Sequence, residues 1–198
     1  GNPVREVIAL LPPPAERYAR RSGPLSILVV GGSRGARVLN DVLPQALAAL
    51  VSQERPRVIH QTGAKDAARV AAAYRESGID ADARAFIEDM AAAYAEADLV
   101  ICRAGALTIG ELAAAGVASV LVPYPHAVDD HQSANARFLA DAGAAVLVPQ
   151  TEFTPARAAE LIGGFSRARL TEMAAKARAL AQPEAARRVA EICMEAAG

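Results

Sequence analysis

Short continuous apolar runs alternate with amphipathic stretches along most of this chain. The first run, Ser26-Ile27-Leu28-Val29-Val30, ends at a glycine pair, which is typical of a strand buried on both faces. The next stretch repeats apolar residues at helical spacing, and Pro44 interrupts that pattern where the helix could kink. The alternation predicts strands at residues 26–30, 57–61, 83–87, 98–102, 118–122 and 145–148. It predicts helices at residues 36–51, 65–76, 90–97, 107–115 and 133–142, and in pieces after residue 154.

Strands that alternate with helices predict βαβ units. The expected fold is therefore α/β, a doubly wound, Rossmann-like parallel sheet of about six strands with helices on both faces. Gly143 follows a predicted helix, at the position favoured for a left-handed cap. Residues 12–24 are rich in proline and basic side chains, which indicates a linker that carries a short helix around residues 16–20.

Composition narrows the functional classes. The chain has 198 residues, of which 53% are hydrophobic, so it can bury one substantial core. Its 21 basic and 22 acidic residues give a formal net charge of -1, which provides no general field for a nucleic acid. Cys102 and Cys193 are far apart and are expected to be reduced thiols, with neither a disulfide nor a zinc site. The sequence has no apolar run of about 20 residues, no secretory signal and no initiating Met, and we expect it to be a fragment.

Ligands of open parallel sheets bind beyond the carboxyl ends of the strands, so the residues after each strand are the first candidates. Gly31-Gly32-Ser33-Arg34-Gly35 joins a strand to a helix, where glycines allow close approach of a ligand and helix amides favour an anion. Ser33 offers a hydroxyl donor. The alternative interpretation of this segment is a tight strand-to-helix turn that binds no ligand. Its spacing excludes both the dinucleotide fingerprint and the Walker loop.

Gly105-Ala106-Leu107-Thr108 repeats this design after another strand. If the two strands are neighbours, two helix N-termini converge on one crevice, which suits a diphosphate. Glu111 is predicted near the first turn of the second helix. There its carboxylate either favours the helix dipole or accepts hydrogen bonds from a ribose diol, and the sequence leaves both interpretations open.

Residues 124–132 form a long polar loop that contains His126, Asp129, Asp130, His131 and Gln132. The loop lacks compact metal-ligand spacing, so we predict no metal there, and Asp129 or Asp130 is a candidate N-cap. His60 is expected to pack at a strand end. No nucleophile or orienting residue accompanies the histidines, so no catalytic residue is assigned.

Several segments together resemble the C-terminal domain of the MurG family, the peptidoglycan N-acetylglucosaminyltransferases that convert lipid I to lipid II. They run in order and cover much of the chain up to Asn135, and their combination is far more specific than any one of them. The matching segments are residues 1–5, 31–40, 60–63, 86–90, 102–108, 111–116 and 122–135.

The resemblance implies the donor-binding half of a two-domain GT-B glycosyltransferase. It implies inverting, metal-independent transfer from UDP-N-acetylglucosamine to the C4 hydroxyl of lipid I, with no cofactor. The acceptor half would bring the general base, the lipid I site and the patch that meets the anionic inner membrane, so the full-length enzyme is expected to be cytoplasmic and peripheral on that membrane. The fragment alone is expected to bind the donor weakly and to transfer nothing. Its expected parts are an interdomain linker at residues 1–24, a UDP-sugar-binding domain at 25–182, and a C-terminal helix at 183–198 that crosses to the other half.

The resemblance also assigns roles to residues. It implies that Arg5 helps hold the nucleotide, that Ser33 contacts the phosphates, and that the backbone of Ile87 contacts the uracil. The helix start cradles the diphosphate, Glu111 binds the ribose hydroxyls and Gln132 meets the sugar. Gly110 stands where some members of the family carry Ser, and His131 stands where some carry a second Gln. The predicted donor-binding set is Arg5, Gly32, Ser33, Ile87, Gly105, Ala106, Leu107, Thr108, Ile109, Gly110, Glu111, His131 and Gln132.

Two alternatives remain at this point. One is another GT-B-like enzyme such as a UDP-N-acetylglucosamine 2-epimerase, which would act on the nucleotide sugar without a lipid acceptor. The other is a non-catalytic donor-binding subunit that associates with a separate acceptor chain.

Overall fold

The computed structural model describes residues 1–32, 36–52, 55–125 and 130–197. In this part of the chain six strands form one sheet, in which every neighbouring pair is parallel and the order is β3-β2-β1-β4-β5-β6. The strands are β1 (Ser26–Val30), β2 (Arg57–Gln61), β3 (Ala81–Arg84), β4 (Leu99–Cys102), β5 (Ala118–Leu121) and β6 (Ala145–Leu147). The strand order reverses between β1 and β4, as in a doubly wound Rossmann-like sheet, so the predicted fold class is confirmed.

Helices cover both faces of the sheet. They are α1 (Glu6–Ala9), α2 (Pro14–Ala19), α3 (Arg37–Ala48), α4 (Ala67–Glu76), α5 (Met90–Glu96), α6 (Ala106–Ala115), α7 (His131–Ala140), α8 (Pro155–Gly163), α9 (Arg167–Ala179) and α10 (Ala185–Ala197). A 3₁₀ turn at Gln150–Glu152 precedes α8. Side chains alternate along each strand, so β1 sends Ile27 and Val29 into the core under α3, α4 and α8, and Leu28 into the core under α1, α5, α6 and α7.

Most predicted elements are present, with one clear displacement. β3 covers Ala81–Arg84, whereas the sequence indicated residues 83–87. The apolar pair Phe86-Ile87 suggested a strand. Ile87 is instead buried in the core under α1, α5, α6 and α7, and Phe86 is exposed. The edge strand itself is the weakly apolar Ala-Asp-Ala-Arg, which pairs with β2 from Val58↔Ala81 to Gln61↔Arg84. The short helix α1 was not predicted, and α3 continues through Pro44.

The predicted linker, residues 1–24, packs along the domain. Ile8 of α1 is buried, and so are Arg17 and Tyr18 of α2. Gly116, which ends α6 at φ +62°, lies against this segment, because a Cβ built there would be 2.7 Å from Pro14 Cγ. The tripartite domain division stays a prediction, but this first part is integrated into the packing.

A buried carboxylate also ties the segment to the sheet. Asp98 accepts hydrogen bonds from Arg21 (2.8 Å), the Ser26 amide (2.8 Å) and Arg167 (3.2 and 3.3 Å), and its carbonyl accepts the Tyr18 hydroxyl. Burial alone would raise the pKa of the Asp98 carboxyl, but the hydrogen bonds from these guanidinium and amide groups outweigh it and lower the pKa overall.

The C-terminal helix α10 presents an apolar stripe to solvent. Val189 and Ile192, which are three positions apart and share one side of α10, are exposed, and Met194 is exposed on another side of the helix. An amphipathic helix with an uncovered apolar side is what the predicted crossing to another half requires, and that crossing stays a prediction. Among the described residues no helix is both long and apolar enough to span a membrane.

Candidate functional site

The strand ends that carry the glycine-led loops are neighbours. Val30 at the end of β1 pairs with Cys102 at the end of β4, at the point where the strand order reverses. The Gly31 amide donates to the Gln61 carbonyl (3.1 Å), and the Gly32 amide donates to the Gln61 side chain (3.2 Å). Gly32 has φ +79°, which favours glycine. The remaining residues of this loop, 33–35, lie outside the described residues, so the role of Ser33 stays a prediction.

Helix α6 begins directly behind the second glycine loop. Gly105 is its N-cap, Ala106 and Leu107 are exposed, and Thr108 is half-buried. The first amides of a helix have no partner within the helix, so this end can receive an anion. The Asn2 side chain donates to the Ala106 carbonyl (3.0 Å) and so attaches the start of the chain to this turn.

The next residues of α6 face away from solvent. Ile109 is buried in the core, so its side chain is not available to a ligand. A Cβ built on Gly110 would be 3.3 Å from Val4 Cγ2 and 3.7 Å from Asn2 Cβ, so this position lies against the first residues of the chain. Their place in the donor-binding set stays a prediction that only their backbone could fulfil.

Glu111 lies in the second turn of α6 and not near its first turn, as the sequence had indicated. The helix-dipole interpretation weakens accordingly, because that effect falls off within the first turn. Its Oε1 accepts hydrogen bonds from Arg5 Nε (3.2 Å) and Arg5 Nη2 (2.9 Å). Two predicted ligand-binding residues that are 106 positions apart are therefore in direct contact.

Tyr94 is a further partner of this carboxylate that the sequence did not reveal. Its hydroxyl donates to Glu111 Oε2 at 3.0 Å, and the side chain is buried between α5 and the core. Burial, followed by the nearby Glu111 charge, raises the pKa of Tyr94 well above its ordinary value, so the hydroxyl remains a donor. In sequence Tyr94 occupies a core position of α5, and only its polar atom hinted at another role.

Ile87 and its neighbours follow the edge strand. The Ile87 side chain is buried, which leaves its backbone as the part available to a ligand. Phe86 beside it is exposed. Asp89 caps α5, since its carboxylate accepts the Ala92 amide at 2.9 Å.

The start of α7 holds the loops after β4 and β5 together. Gln132 Oε1 accepts the backbone amides of Tyr124 (3.0 Å) and Ala104 (3.3 Å), and the side-chain Nδ2 of Asn135 donates to the Ala104 carbonyl. The carbonyl of Gln132 is therefore already used, and its NH₂ group is the part that can meet a ligand. His131 is exposed beside it.

Asp130, one of the two residues predicted as an N-cap, occupies that position of α7 with φ +50°, but its side chain accepts no backbone amide of the helix. Its carboxylate accepts the Ser133 hydroxyl at 2.6 Å. The other cap candidate, Asp129, and His126 lie outside the described residues.

Arg103 joins the loop after β5 to the 3₁₀ turn before α8, and together they form one wall of the site. Its guanidinium donates to the carbonyls of Val122 and Pro123 (both 3.0 Å) and to Gln150 Oε1 (2.6 Å). It also lies 5.4 Å from the centre of the Tyr124 ring. Burial lowers the pKa of Arg103.

Between this wall and α3 there is a cavity of about 650 Å³, which we call the crevice. Its lining includes Arg37, Asp41, Arg103, Tyr124, Gln132 and Gln150.

The other residues that the sequence singled out are His60 and the two cysteines. His60 is buried, its Nδ1 lies 2.9 Å from the Tyr74 hydroxyl, and burial lowers its pKa to about 3. Cys102 is buried and Cys193 is exposed, and both are free. Within the ranges that the structure describes, no cluster of three or more His, Cys, Asp or Glu side chains is arranged to hold a metal.

The doubly wound sheet, together with its structural match to a solved glycosyltransferase, identifies the chain as one half of a GT-B glycosyltransferase. The chain belongs to the glycosyltransferase family 28 C-terminal domain family, which it matches over residues 26–191.

The chain is 61% identical over 200 residues to a protein of Ralstonia nicotianae, the UDP-N-acetylglucosamine–N-acetylmuramyl-(pentapeptide) pyrophosphoryl-undecaprenol N-acetylglucosamine transferase. This match covers 100% of this chain and 55% of that protein. Identity to the protein of the same name from Nitrosomonas europaea is 60% over 198 residues, covering 100% of this chain and 56% of that protein. Among solved structures, MurG of Acinetobacter baumannii superposes with a TM-score of 0.88 at 46% identity, over 95% of this chain and 55% of that one. The chain spans about half the length of the curated relatives it matches.

These relatives confirm the resemblance that the motifs indicated. They do not favour the 2-epimerase alternative.

Proposed function

We propose that this chain holds the donor, UDP-N-acetylglucosamine, for an inverting transferase that adds N-acetylglucosamine to lipid I and forms lipid II. The observation that carries the proposal is the Arg5–Glu111 pair beside the exposed start of α6. It combines a cation, a carboxylate for a ribose diol and helix amides for a diphosphate in one small region. The names of the relatives in Ralstonia and Nitrosomonas supply the sugar, the acceptor and the reaction.

The chemistry of the leaving group fits this region. When the sugar is transferred, negative charge builds on the departing UDP. Helix amides that are already oriented can stabilise that charge without reorganising during the reaction. In the proposal, residues 31–35 and 105–108 receive the diphosphate, Glu111 binds the ribose and Gln132 meets the sugar through its NH₂ group.

The general base, the acceptor site and the membrane contact belong, in this proposal, to a further half of the enzyme. Lipid I and the anionic inner membrane are therefore partners of the whole enzyme, which works at the cytoplasmic face of that membrane, and nucleic acid is not a partner. The apolar stripe of α10 supports an association with that half. The present chain would bind the donor and transfer nothing by itself.

Calorimetric titration with UDP-N-acetylglucosamine tests the binding step. We expect weak binding by the unaltered chain and clearly weaker binding by Glu111→Ala, which keeps only the contacts to the rest of the nucleotide. The matched control is Glu76→Ala, which removes an exposed carboxylate at the end of α4 and should leave binding unchanged. Absence of heat from the unaltered chain at millimolar ligand would reject the proposal. So would lipid II formation by this chain alone at a normal rate, because the acceptor half would then be unnecessary.

A further inference from the structure

The Arg5 and Tyr94 partners of Glu111 differ sharply in burial. The Arg5 side chain is 51% exposed, whereas that of Glu111 is 18% exposed. Tyr94 is 1% exposed and its backbone carbonyl is held by Arg17 Nη1 at 3.1 Å. A partly exposed ion pair contributes only up to about 1 kcal/mol, so Arg5 can exchange its partner at little cost. The Tyr94 hydroxyl has no comparable freedom, because its ring is packed in the core.

Hydrogen-bonding capacity separates the two partners further. Both Arg5 contacts end on Oε1, and the Tyr94 contact ends on Oε2. Each carboxylate oxygen has about two acceptor positions. Oε1 is therefore filled by Arg5, while Oε2 retains one position beside Tyr94. A ribose diol that binds both oxygens must displace at least one Arg5 contact, but it can leave the Tyr94 contact intact.

We propose that Tyr94 is a positioning residue that orients the Glu111 carboxylate for the ribose diol, and that Arg5 is the exchangeable partner which the diol displaces. This proposal rests on the proposed function of Glu111 as the ribose ligand. Without the Tyr94 hydroxyl, the carboxylate is free to rotate toward Arg5, and the diol then meets a misaligned acceptor. The Tyr94 hydroxyl itself does not touch the nucleotide.

The test compares two probes, UDP and 2′,3′-dideoxyuridine diphosphate, by calorimetry on the full chain. We define the ribose preference as the ratio of the two dissociation constants. In Tyr94→Phe we expect UDP binding to weaken about five- to tenfold, the effect of one lost hydrogen bond, while binding of the dideoxy probe is unchanged. The ribose preference should therefore collapse in this variant.

Further variants distinguish positioning from a general structural effect. Tyr18→Phe removes a buried tyrosine hydroxyl that donates to the Asp98 carbonyl, away from Glu111, and should leave both dissociation constants unchanged. Arg5→Met should lower the ribose preference without abolishing it, and adding Tyr94→Phe should then remove the remainder. In a Glu111→Ala background, Tyr94→Phe should have no further effect on either probe.

The outcomes are separable. Equal weakening of both probes by Tyr94→Phe, or no change in either, would overturn the role of Tyr94 and leave that of Glu111 standing. Complete loss of the ribose preference in Arg5→Met would show that Arg5 is the orienting partner and would likewise overturn the proposal. An unaltered chain that shows no ribose preference, or binds neither probe, would remove the proposed function of Glu111 and this inference with it.

Discussion

Replacing Arg17 by methionine should weaken the folded domain substantially. This arginine is buried near the C-terminal ends of α5 and α6, and no carboxylate is among the partners that the structure describes for it. Its guanidinium donates to the backbone carbonyls of Pro12 (3.0 Å), Tyr94 (3.1 Å), Ala115 (2.5 Å) and Gly116 (2.6 Å). Burial lowers its pKa, and the charge is tolerated because helix C-termini are the negative ends of their dipoles.

The magnitude follows from what the methionine leaves behind. It retains much of the apolar stem but none of the donors, so buried carbonyls of two helix ends lose their partner. Each lost hydrogen bond to a charged group is worth about 1.5–3 kcal/mol. The removed desolvation cost of the guanidinium offsets part of the sum, so we expect the free energy of unfolding to fall by about 3–4 kcal/mol. For a domain of this size that loss corresponds to a thermal unfolding midpoint roughly 10 °C lower.

Urea unfolding followed by circular dichroism measures this change, since the chain contains no tryptophan. Arg20→Met is the matched control, because Arg20 is exposed just after α2 and its replacement removes the same charge. A decrease below about 1 kcal/mol for Arg17→Met, or an equal decrease for both variants, would refute the argument from the helix ends.

Other predictions concern the remaining buried polar groups and the tight turns. Because burial lowers the pKa of His60 to about 3, only the unfolded chain takes up its proton between that value and the ordinary value of about 6.5. The free energy of unfolding should therefore fall as the pH is lowered through this window, by up to about 1.4 kcal/mol per pH unit, and the double variant His60→Phe, Tyr74→Phe should lack that contribution in urea titrations across it. Asp98→Asn should lower the free energy of unfolding by about 3 kcal/mol, since it leaves the largely buried guanidinium groups of Arg21 and Arg167 without their counter-charge, and a loss under about 1 kcal/mol would contradict this. In the same assay Gly116→Ala should lower the free energy of unfolding by about 3 kcal/mol and Gly23→Ala by only about 1 kcal/mol. Both glycines have positive φ, but a Cβ at position 116 meets other atoms within 3 Å, whereas at position 23 it meets no described atom within 4 Å. Equal losses would show that backbone strain alone determines the effect.

The parts of the fold that could be predicted are those determined by local pattern. β1 and β4 are continuous apolar runs ended by glycine or polar residues, and a strand buried on both faces needs little more. β3 was misplaced because an edge strand needs only partial burial, so its Ala-Asp-Ala-Arg sequence carries almost no hydrophobic signal. The single turn of α1 is too short for periodicity to indicate it, and it is stabilised by the packing of Ile8.

The candidate site divides in the same way. Its glycine-led loops and the carboxylate of Glu111 are visible in sequence, because backbone approach and charge depend on residue type at fixed spacing. The Tyr94 contact is not visible, because it depends on how α5 packs beside α6. The exact turn that carries Glu111 and the use of the Gln132 carbonyl by two backbone amides also follow only from tertiary geometry.

The position of Arg5 suggests how ribose and phosphate recognition could be coupled. The Arg5 guanidinium neutralises Glu111, and neighbouring Asn2 fastens the same segment to the first turn of α6. If the diol displaces Arg5 from the carboxylate, the released cation is already beside the helix end proposed to receive the diphosphate. Charge that stabilises the carboxylate before binding would then become available to the phosphates only when a ribose is present. A nucleotide without the diol would leave Arg5 paired, so we expect it to forfeit part of the phosphate interaction together with the ribose contacts, and the two losses should not be additive.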